Sequence, residues 1–227
     1  MTEQKFKCEI IKQDIGQFDL CFKIIVIGDC SVGKSCLTIK AIKNYFDELY
    51  QPTVGFQFLS FIIKINDQII KLQIWDTCGQ EAYRSLINSF YRNSSLALLV
   101  YSIDNKNSFD HLGEWLNDIK NQSNPDIKIF LIGNKVDLED KRKVSKEMGE
   151  TFCKENNLNL FMETSAKTGF NAQNLFMEAG SLLYEEHSKN KDNIIKKNTF
   201  LTSSYISGIF DPEIEEENNN KRRKCFC

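Results

Sequence analysis

The sequence contains no long apolar run, and no stretch approaches the roughly 20 apolar residues that a membrane-spanning helix needs. It also lacks an apolar core near its N-terminus and has Thr2 where N-myristoylation requires glycine, so we expect neither secretion nor that lipid anchor. A large excess of positive or negative charge is missing too. A net charge of −2 over 227 residues, with 41% hydrophobic residues, indicates a soluble globular protein and not a nucleic-acid binder. The length suits one domain with a tail.

Cysteine pairs of the C-x-x-C type are absent, although the chain has eight cysteines. Their scattered spacing argues against a zinc site and against a disulfide framework. We therefore expect most of them to be reduced cytosolic thiols. The exceptions are Cys225 and Cys227, which end the sequence.

A glycine-containing stretch between residues 28 and 35 reads G-x-x-x-x-G-K-S. It follows an apolar run at 21–27 that predicts a buried strand, and a segment with helical periodicity comes after it. Two glycines allow the backbone to turn so that successive N–H groups converge on phosphate oxygens, and the helix N-terminus adds attraction. The pattern predicts a site for a nucleoside triphosphate, without choosing ATP or GTP, and a turn that binds nothing is the alternative. Its candidate residues are Gly28, Cys30, Ser31, Val32, Gly33, Lys34, Ser35 and Cys36, with Lys34 on the β/γ phosphates and Ser35 on Mg²⁺.

A second candidate segment ends an alternating apolar run and reads D-x-x-G at 76–79. A carboxylate at the end of a buried strand is costly unless it is paired or linked to a metal, so Asp76 is expected to support Mg²⁺. Gly79 then offers a backbone N–H to the γ-phosphate, and Gln80 lies next to the point of water attack. Alone, D-x-x-G is a weak signal that a simple turn also produces.

Strand and helix patterns alternate along most of the chain, which predicts an α/β fold. We expect a doubly wound, mostly parallel six-stranded sheet with helices on both faces. Residues 1–19 are interpreted as an N-terminal extension, 20–188 as the domain, and 189–227 as a disordered tail. The predicted strands are 21–27, a hairpin of 56–65 and 68–75, then 96–103, 127–132 and 159–163; the later helices are 108–122, with Ser108 as its cap, 144–156 and 171–187.

The segment N-K-V-D at 134–137 predicts which nucleotide base the site binds. Asp137 offers an anionic acceptor for the N1–H and exocyclic amine of guanine, whereas adenine presents an unprotonated N1 there. Charge-assisted hydrogen bonds of about 1.5–3 kcal/mol each make this a large discrimination. Lys135 can lay its stem along the base, and Asn134 can tie neighbouring loops together. A helix-capping turn is the alternative interpretation of N-K-V-D. A further segment, Ser165-Ala166-Lys167, supplies the backbone N–H of Ala166 as the predicted donor to the guanine oxygen.

With these segments in place, the chain resembles small GTPases of the Ras superfamily over about residues 21–187. Within the superfamily it is most similar to the Rab family. Rho-type proteins carry an insert that is missing here, and Ran-type proteins lack the prenylatable end. The Rab likeness depends on K-L-Q-I at 71–74, W-D-T-C-G-Q-E at 75–81, Y-R-S-L at 83–86, F-Y-R at 90–92 and C-F-C at 225–227.

The resemblance implies roles for further residues. Thr53 would ligate Mg²⁺ with Ser35 and Asp76 and would sense the γ-phosphate, while Gln80 would orient the attacking water. Phe46 would stack on guanine, and Tyr50 would cover the phosphates. The aromatic trio that Rab effectors read corresponds to Phe58, Trp75 and Phe90, and the departures from the family pattern are Cys30, Gln57, Cys78 and Asn93-Ser94.

The implied function is a switch that hydrolyses GTP slowly and regulates vesicle trafficking from the cytoplasmic face of an endomembrane. The implied partners are an exchange factor, an activating protein that supplies an arginine, effectors, a GDP-dissociation inhibitor and a prenylation escort. The catalytic residues would be Lys34, Thr53 and Gln80. A GTP-binding scaffold with little hydrolysis and an ATPase are the alternatives, and Asp137 is the wrong base reader for the latter.

The tail changes composition and ends in a basic cluster at 221–224 before Cys225 and Cys227. Two geranylgeranyl groups on these thiols, together with attraction to anionic lipids, would provide the two signals that stable membrane anchoring needs. A solvated charge run with two unmodified thiols is the alternative.

Overall fold

The structure is a computed structural model that describes residues 7–11, 16–49, 53, 55–78 and 90–207, with the backbone alone for 191–207. Within these ranges, strands and helices alternate as the sequence predicts. The strands are β1 (Cys8–Ile11), β2 (Leu20–Ile27), β3 (Phe56–Ile65), β4 (Gln68–Thr77), β5 (Leu96–Ser102), β6 (Lys128–Asn134) and β7 (Leu160–Glu163). The helices are α1 (Lys34–Lys43), α2 (Lys106–Asp110), α3 (Leu112–Gln122), a 3-10 helix (Val136–Lys141), α4 (Lys146–Glu155) and α5 (Ala172–Ser207).

The described strands form one sheet in the order β1-β3-β4-β2-β5-β6-β7. All neighbours from β4 to β7 pair in parallel, whereas β3 pairs with β4 and β1 in antiparallel fashion. The predicted α/β class with a mostly parallel sheet is therefore confirmed. So is the predicted hairpin, which turns at Asn66 and Asp67.

The prediction of six strands is wrong, because the sheet has seven. The additional strand, β1, lies within the segment that we interpreted as an extension, and it pairs Cys8 with Ile65 and Ile11 with Ile62. Cys8 and Ile10 pack against the core, while Glu9 is exposed. Four residues are too few for this alternation to be recognised as a strand in the sequence.

The core lies on both faces of the sheet, as alternation along β2 illustrates. Ile24 and Val26 belong to a cluster with residues of α1 and α5, whereas Ile25 and Ile27 belong to a cluster with residues of α3. Each strand residue in β2 therefore packs against the helices on its own side. This arrangement places every parallel strand so that its carboxyl end opens at the same edge.

Two helical predictions need correction. The helix predicted at 108–122 is divided at His111, and Asn105, not Ser108, caps its first part by accepting from the backbone N–H of Asn107 at 3.1 Å. The last helix continues to Ser207 instead of ending near residue 187, so the described part of the predicted disordered tail is helical. No glycine or proline interrupts the chain between Gly180 and Gly208, and therefore no residue type that breaks helices is present there.

The chain divides into two compact units, Met1–Tyr184 and Glu185–Cys227. In the second unit, Lys189 pairs with Glu185 at 3.2 Å and with Glu186 at 3.8 Å, a spacing that supports a helix. None of the helices that the structure describes has the length and apolarity to cross a membrane.

Candidate functional site

A cavity of about 370 Å³ opens where β2, β4, β6 and β7 end. Ligands of doubly wound sheets bind at the carboxyl ends of the strands, because the connecting loops and helix N-termini converge there. The segments that border this cavity are the loop between β2 and α1, the segment after α1, the end of β4 and the loops after β6 and β7. The four predicted motifs thus meet at one place.

The glycines of the loop before α1 cannot be replaced without a clash. Gly28 has φ 138°, and a Cβ on it would lie 2.1 Å from the carbonyl oxygen of Val100. Gly33 has φ 93°, and its Cβ would lie 2.4 Å from the amide nitrogen of Asn134. The loop can therefore pass close to β5 and β6 only with glycine at both positions.

The remaining loop residues divide between the cavity and the core. Cys30 and Ser31 line the cavity, and so do Ser35 and Cys36 in the first turn of α1. Val32 is fully buried in the core, and its contribution to the loop is its carbonyl oxygen, which accepts from Asn134 at 2.9 Å. The first turn of α1 thus presents its free N–H groups beside a concave backbone, as an anion-binding site requires.

Lys34 lines the same cavity although only 5% of it is exposed. Its ammonium donates to the carbonyl oxygens of Gly28 at 2.8 Å and Asp29 at 2.7 Å, which fixes the side chain across the loop. Burial lowers the pKa of Lys34, and the nearby carboxylate of Asp76 opposes the shift. A positive charge is therefore held where the phosphates of a nucleotide would lie.

The predicted magnesium ligands also come together. Ser35 Oγ and Thr53 Oγ1 are hydrogen-bonded at 2.7 Å. Asp76 is fully buried, and neither of its carboxylate oxygens has a hydrogen-bond partner among the residues that the structure describes. Burial raises the pKa of Asp76 from its ordinary 3.8 to about 6; the nearby Ser35 hydroxyl, whose hydrogen bond goes to Thr53, and the Lys34 ammonium oppose this shift.

This donor set fits a hard divalent cation. A buried carboxylate without a partner is costly, and a cation beside it removes the cost. Mg²⁺ prefers oxygen ligands and is usually held by one or two carboxylates together with substrate phosphates. Ser35, Thr53 and Asp76 supply such oxygens next to the phosphate loop.

The base side of the cavity is built by hydrogen bonds between its loops. Asn134 is fully buried, donates to Val32 and accepts from the Thr164 hydroxyl at 3.1 Å, so it ties the loop after β7 to the phosphate loop. Asp137 lines the cavity, and its Oδ1 accepts from Ser165 Oγ at 2.5 Å. Among the described residues, Ser165 is the hydrogen-bond partner of this carboxylate, so its second oxygen can accept from a ligand.

Four further predicted residues flank this region. Lys135, Ala166 and Lys167 line the cavity after β6 and β7, and Phe46 lines it from the segment after α1 while packing against the core. Ser165 does not line the cavity; it holds Asp137 and accepts from the backbone N–H of Thr168 at 3.1 Å.

A family model described as the Ras family matches residues 23–185, well over half of the chain. The chain belongs to the Ras family. It is thus a small GTP-binding switch with GTPase activity. Ras-family proteins bind GTP and GDP, typically with Mg²⁺, and interact with exchange factors, activating proteins and effectors.

For this Ras-family chain, some predicted site residues lie outside the described residues, and their roles stay predictions. They are Tyr50, Gly79, Gln80, Cys225 and Cys227.

Sequence reasoning missed five residues that line the cavity, namely Asp47, Glu48, Thr77, Cys78 and Leu138. Glu48 is the clearest case, because its carboxylate pairs with Lys167 at 2.8 Å across 119 positions of sequence. No local sequence pattern predicts that contact. Thr77 does follow directly from Asp76, and its hydroxyl donates to the carbonyl oxygen of Val26 at 2.8 Å, which holds the end of β4 against β2.

The aromatic trio forms one cluster with an additional member. Ring centroids of Phe58 and Trp75 lie 5.3 Å apart, and those of Trp75 and Phe90 also lie 5.3 Å apart. Phe56, which sequence reasoning did not include, is 4.7 Å from Phe90. Because Phe56 is 49% exposed and Phe58 is 45% exposed, the cluster presents apolar surface to solvent.

Proposed function

We propose that this Ras-family chain is a Rab-type switch, which regulates vesicle trafficking from the cytoplasmic face of an endomembrane. The observation that carries the switch is that Lys34, Ser35 and Asp137 line one cavity. Behind Lys34 and Ser35 lies the buried carboxylate of Asp76, which has no hydrogen-bond partner among the described residues. The Rab assignment is supported by the sequence patterns at 71–92 and by the aromatic cluster of Phe56, Phe58, Trp75 and Phe90. Exposed aromatic rings are the kind of surface that a protein partner covers.

Phosphoryl transfer mainly requires positioning and charge neutralisation. Lys34 and the N–H groups of the loop neutralise the phosphate oxygens, and Ser35, Thr53 and Asp76 would hold Mg²⁺, which supplies further neutralisation when bound. Gln80 orients the attacking water. Because we identify no arginine in this chain for the transition state, intrinsic hydrolysis is slow and a partner that supplies one accelerates it by about 10³–10⁵.

The output of the cycle is conformational. The γ-phosphate is contacted through Thr53 and Gly79, so the two loops that carry these residues order with GTP and relax after its hydrolysis. Effectors bind the ordered state. The aromatic cluster lies on β3, β4 and the segment before β5, and its first member, Phe56, is three residues after Thr53. Ordering of the loop that carries Thr53 would therefore complete the surface that effectors contact.

Replacing Gln80 by Leu tests the hydrolytic step. The variant is expected to bind GTP normally and to lose roughly 10³-fold or more of the stimulation by an activating protein, because water is no longer oriented. Single-turnover hydrolysis of bound GTP, with and without the activating protein, measures this. Gln122→Leu at the exposed end of α3 is the matched control and should behave as wild type. Stimulated turnover that Gln80→Leu leaves unchanged would contradict the assignment.

A scaffold that binds GTP with little hydrolysis is the second candidate. It is favoured by one observation: the Cys30 side chain lines the cavity within the phosphate loop, where it can obstruct the attacking water. The same single-turnover measurement on wild type decides, because a scaffold shows no hydrolysis even with the activating protein.

Membrane attachment is proposed through geranylgeranyl groups on Cys225 and Cys227, delivered by a prenylation escort and removed from the membrane by a GDP-dissociation inhibitor. A chain with both cysteines changed to Ser is expected to lose membrane fractionation almost completely, since one basic cluster alone anchors weakly. Fractionation of a tagged copy and mass spectrometry of its C-terminus measure this, with Cys153→Ser as the control. An unmodified terminus on a membrane-bound wild-type chain would overturn the proposal.

A further inference from the structure

Asp29 is the second residue of the phosphate loop, and its carboxylate is held by two donors from a distant part of the chain. Trp115 Nε1 donates to Asp29 Oδ1 at 2.7 Å. His111 Nδ1 lies 2.7 Å from Asp29 Oδ2, and because a carboxylate accepts, the histidine nitrogen donates. The loop contributes Cys30, Ser31, Gly33 and Lys34 to the described lining of the cavity, but not Asp29. The Asp29 carboxylate is therefore bonded to other parts of the fold and does not line the cavity.

Both donors belong to the N-terminal part of helix α3. His111 precedes the first residue of α3, and Trp115 lies one turn further along that helix. Trp115 is only 4% exposed and packs in the core with Leu112 and Leu116. A hydrogen bond to a side chain that the core holds fixes position more firmly than one to a mobile surface group.

The main chain of Asp29 is fixed as well, because its carbonyl oxygen accepts from Lys34 Nζ at 2.7 Å. Asp29 thus connects the ammonium of Lys34 to helix α3. The two hydrogen bonds also reduce an electrostatic repulsion. A carboxylate in a phosphate-binding loop repels a phosphate ligand, and the repulsion is weaker when donors hold the carboxylate.

We propose that Asp29 is a positioning residue for the phosphate site, through which α3 sets the shape of the loop and the place of Lys34. This inference rests on the proposed nucleotide function and adds a route of regulation to it. A partner that contacts the exposed corner at His111 would alter the grip on the phosphates without entering the cavity. His111 is 48% exposed at this corner.

The test measures release of a fluorescent GDP analogue and the ³¹P NMR shifts of bound GDP. Asp29→Ala removes both hydrogen bonds. It is expected to release GDP at least about tenfold faster, since the loss of even one charge-assisted hydrogen bond has an effect of this size, and to move the β-phosphate resonance. Asp29→Asn, which keeps an acceptor for Trp115, should recover part of the effect. Trp115→Phe removes the donor while keeping a buried ring, so it should release GDP about threefold faster and decides the matter if Asp29→Ala does not fold.

Asp110→Ala is the matched control, since this exposed carboxylate next to His111 pairs with Lys106 and does not contact the loop. The double variant of Asp29→Ala and Trp115→Phe should release GDP no faster than Asp29→Ala, because both changes break the same connection. Unchanged release and unchanged ³¹P shifts in the variants, or additive effects, overturn the inference. A wild-type chain that binds no GDP overturns the proposed function instead.

Discussion

Replacing Asp137 by Asn is expected to lower the affinity for GTP by about 10²–10⁴-fold, because two charge-assisted hydrogen bonds to guanine are weakened or lost. Oδ1 of Asp137 already accepts from Ser165 Oγ at 2.5 Å, which orients the carboxylate, so we expect the second oxygen to be the main acceptor for the base. An asparagine side chain places an N–H donor there. That donor repels the exocyclic amine of guanine but suits the carbonyl oxygen that xanthine has in the same position.

The same variant is therefore expected to bind XTP more tightly than wild type does. Titration with fluorescent GTP and XTP analogues measures both affinities. Asp140→Asn changes an exposed carboxylate in the same 3-10 helix and should leave them unaltered, which makes it the matched control. A variant at Asp137 that keeps the wild-type preference for GTP over XTP would show that the base is read elsewhere.

Replacing Asp76 by Asn is expected to have opposite effects on stability and on binding. In the metal-free protein the carboxylate is fully buried, and its pKa is raised by burial to about 6. The folded state then binds a proton more readily than the unfolded state, so this group's contribution is favourable below about pH 4 and is lost as pH rises through 6. Above pH 7 the variant should gain roughly 2–3 kcal/mol of stability in EDTA.

With Mg²⁺ present, the same variant is expected to lose most of the metal-dependent gain in GTP affinity, because one anionic ligand is gone. Urea unfolding in EDTA and GTP titrations with and without Mg²⁺ measure the two effects. The control, Asp67→Asn, lies in the exposed turn between β3 and β4 and should change neither. A variant that is less stable than wild type in EDTA, or that keeps the full response to Mg²⁺, would contradict the metal assignment.

The parts of the site that the sequence predicted are those whose chemistry is local. Lys34 and Ser35 follow their loop in fixed register, and Asn134 and Asp137 are three positions apart, so a short pattern contains the whole arrangement. The alternation of apolar strands with helical periods placed these patterns at strand ends. For the same reason the mostly parallel α/β sheet was predictable.

The parts that it did not predict depend on contacts between distant residues or on very short elements. Asp29 and Trp115 are 86 residues apart, and neither has a neighbour that signals their hydrogen bond. Glu48 meets Lys167 only because the fold brings the segment after α1 to the loop after β7. The strand β1 has four residues, too few to show a period, and Phe56 joins its aromatic cluster through pairing with β4.

The helix α5 shows a different limit. Its residues from 189 onward are largely polar, which we interpreted as a sign of disorder, yet they contain good helix formers and no breaker as far as Ser207. Polarity of a segment tells that it is solvated, and it does not tell whether its backbone is helical.

The central claim is that Asp137 selects guanine while the phosphate loop and a divalent cation hold the triphosphate. A competition titration, in which GTP or ATP displaces a fluorescent GDP analogue with and without Mg²⁺, tests it most directly. The account predicts displacement by GTP at concentrations at least about 10³-fold lower than by ATP, and tighter binding of GTP when Mg²⁺ is present. Equal displacement by ATP and GTP, or no binding of either nucleotide in Mg²⁺, would contradict it.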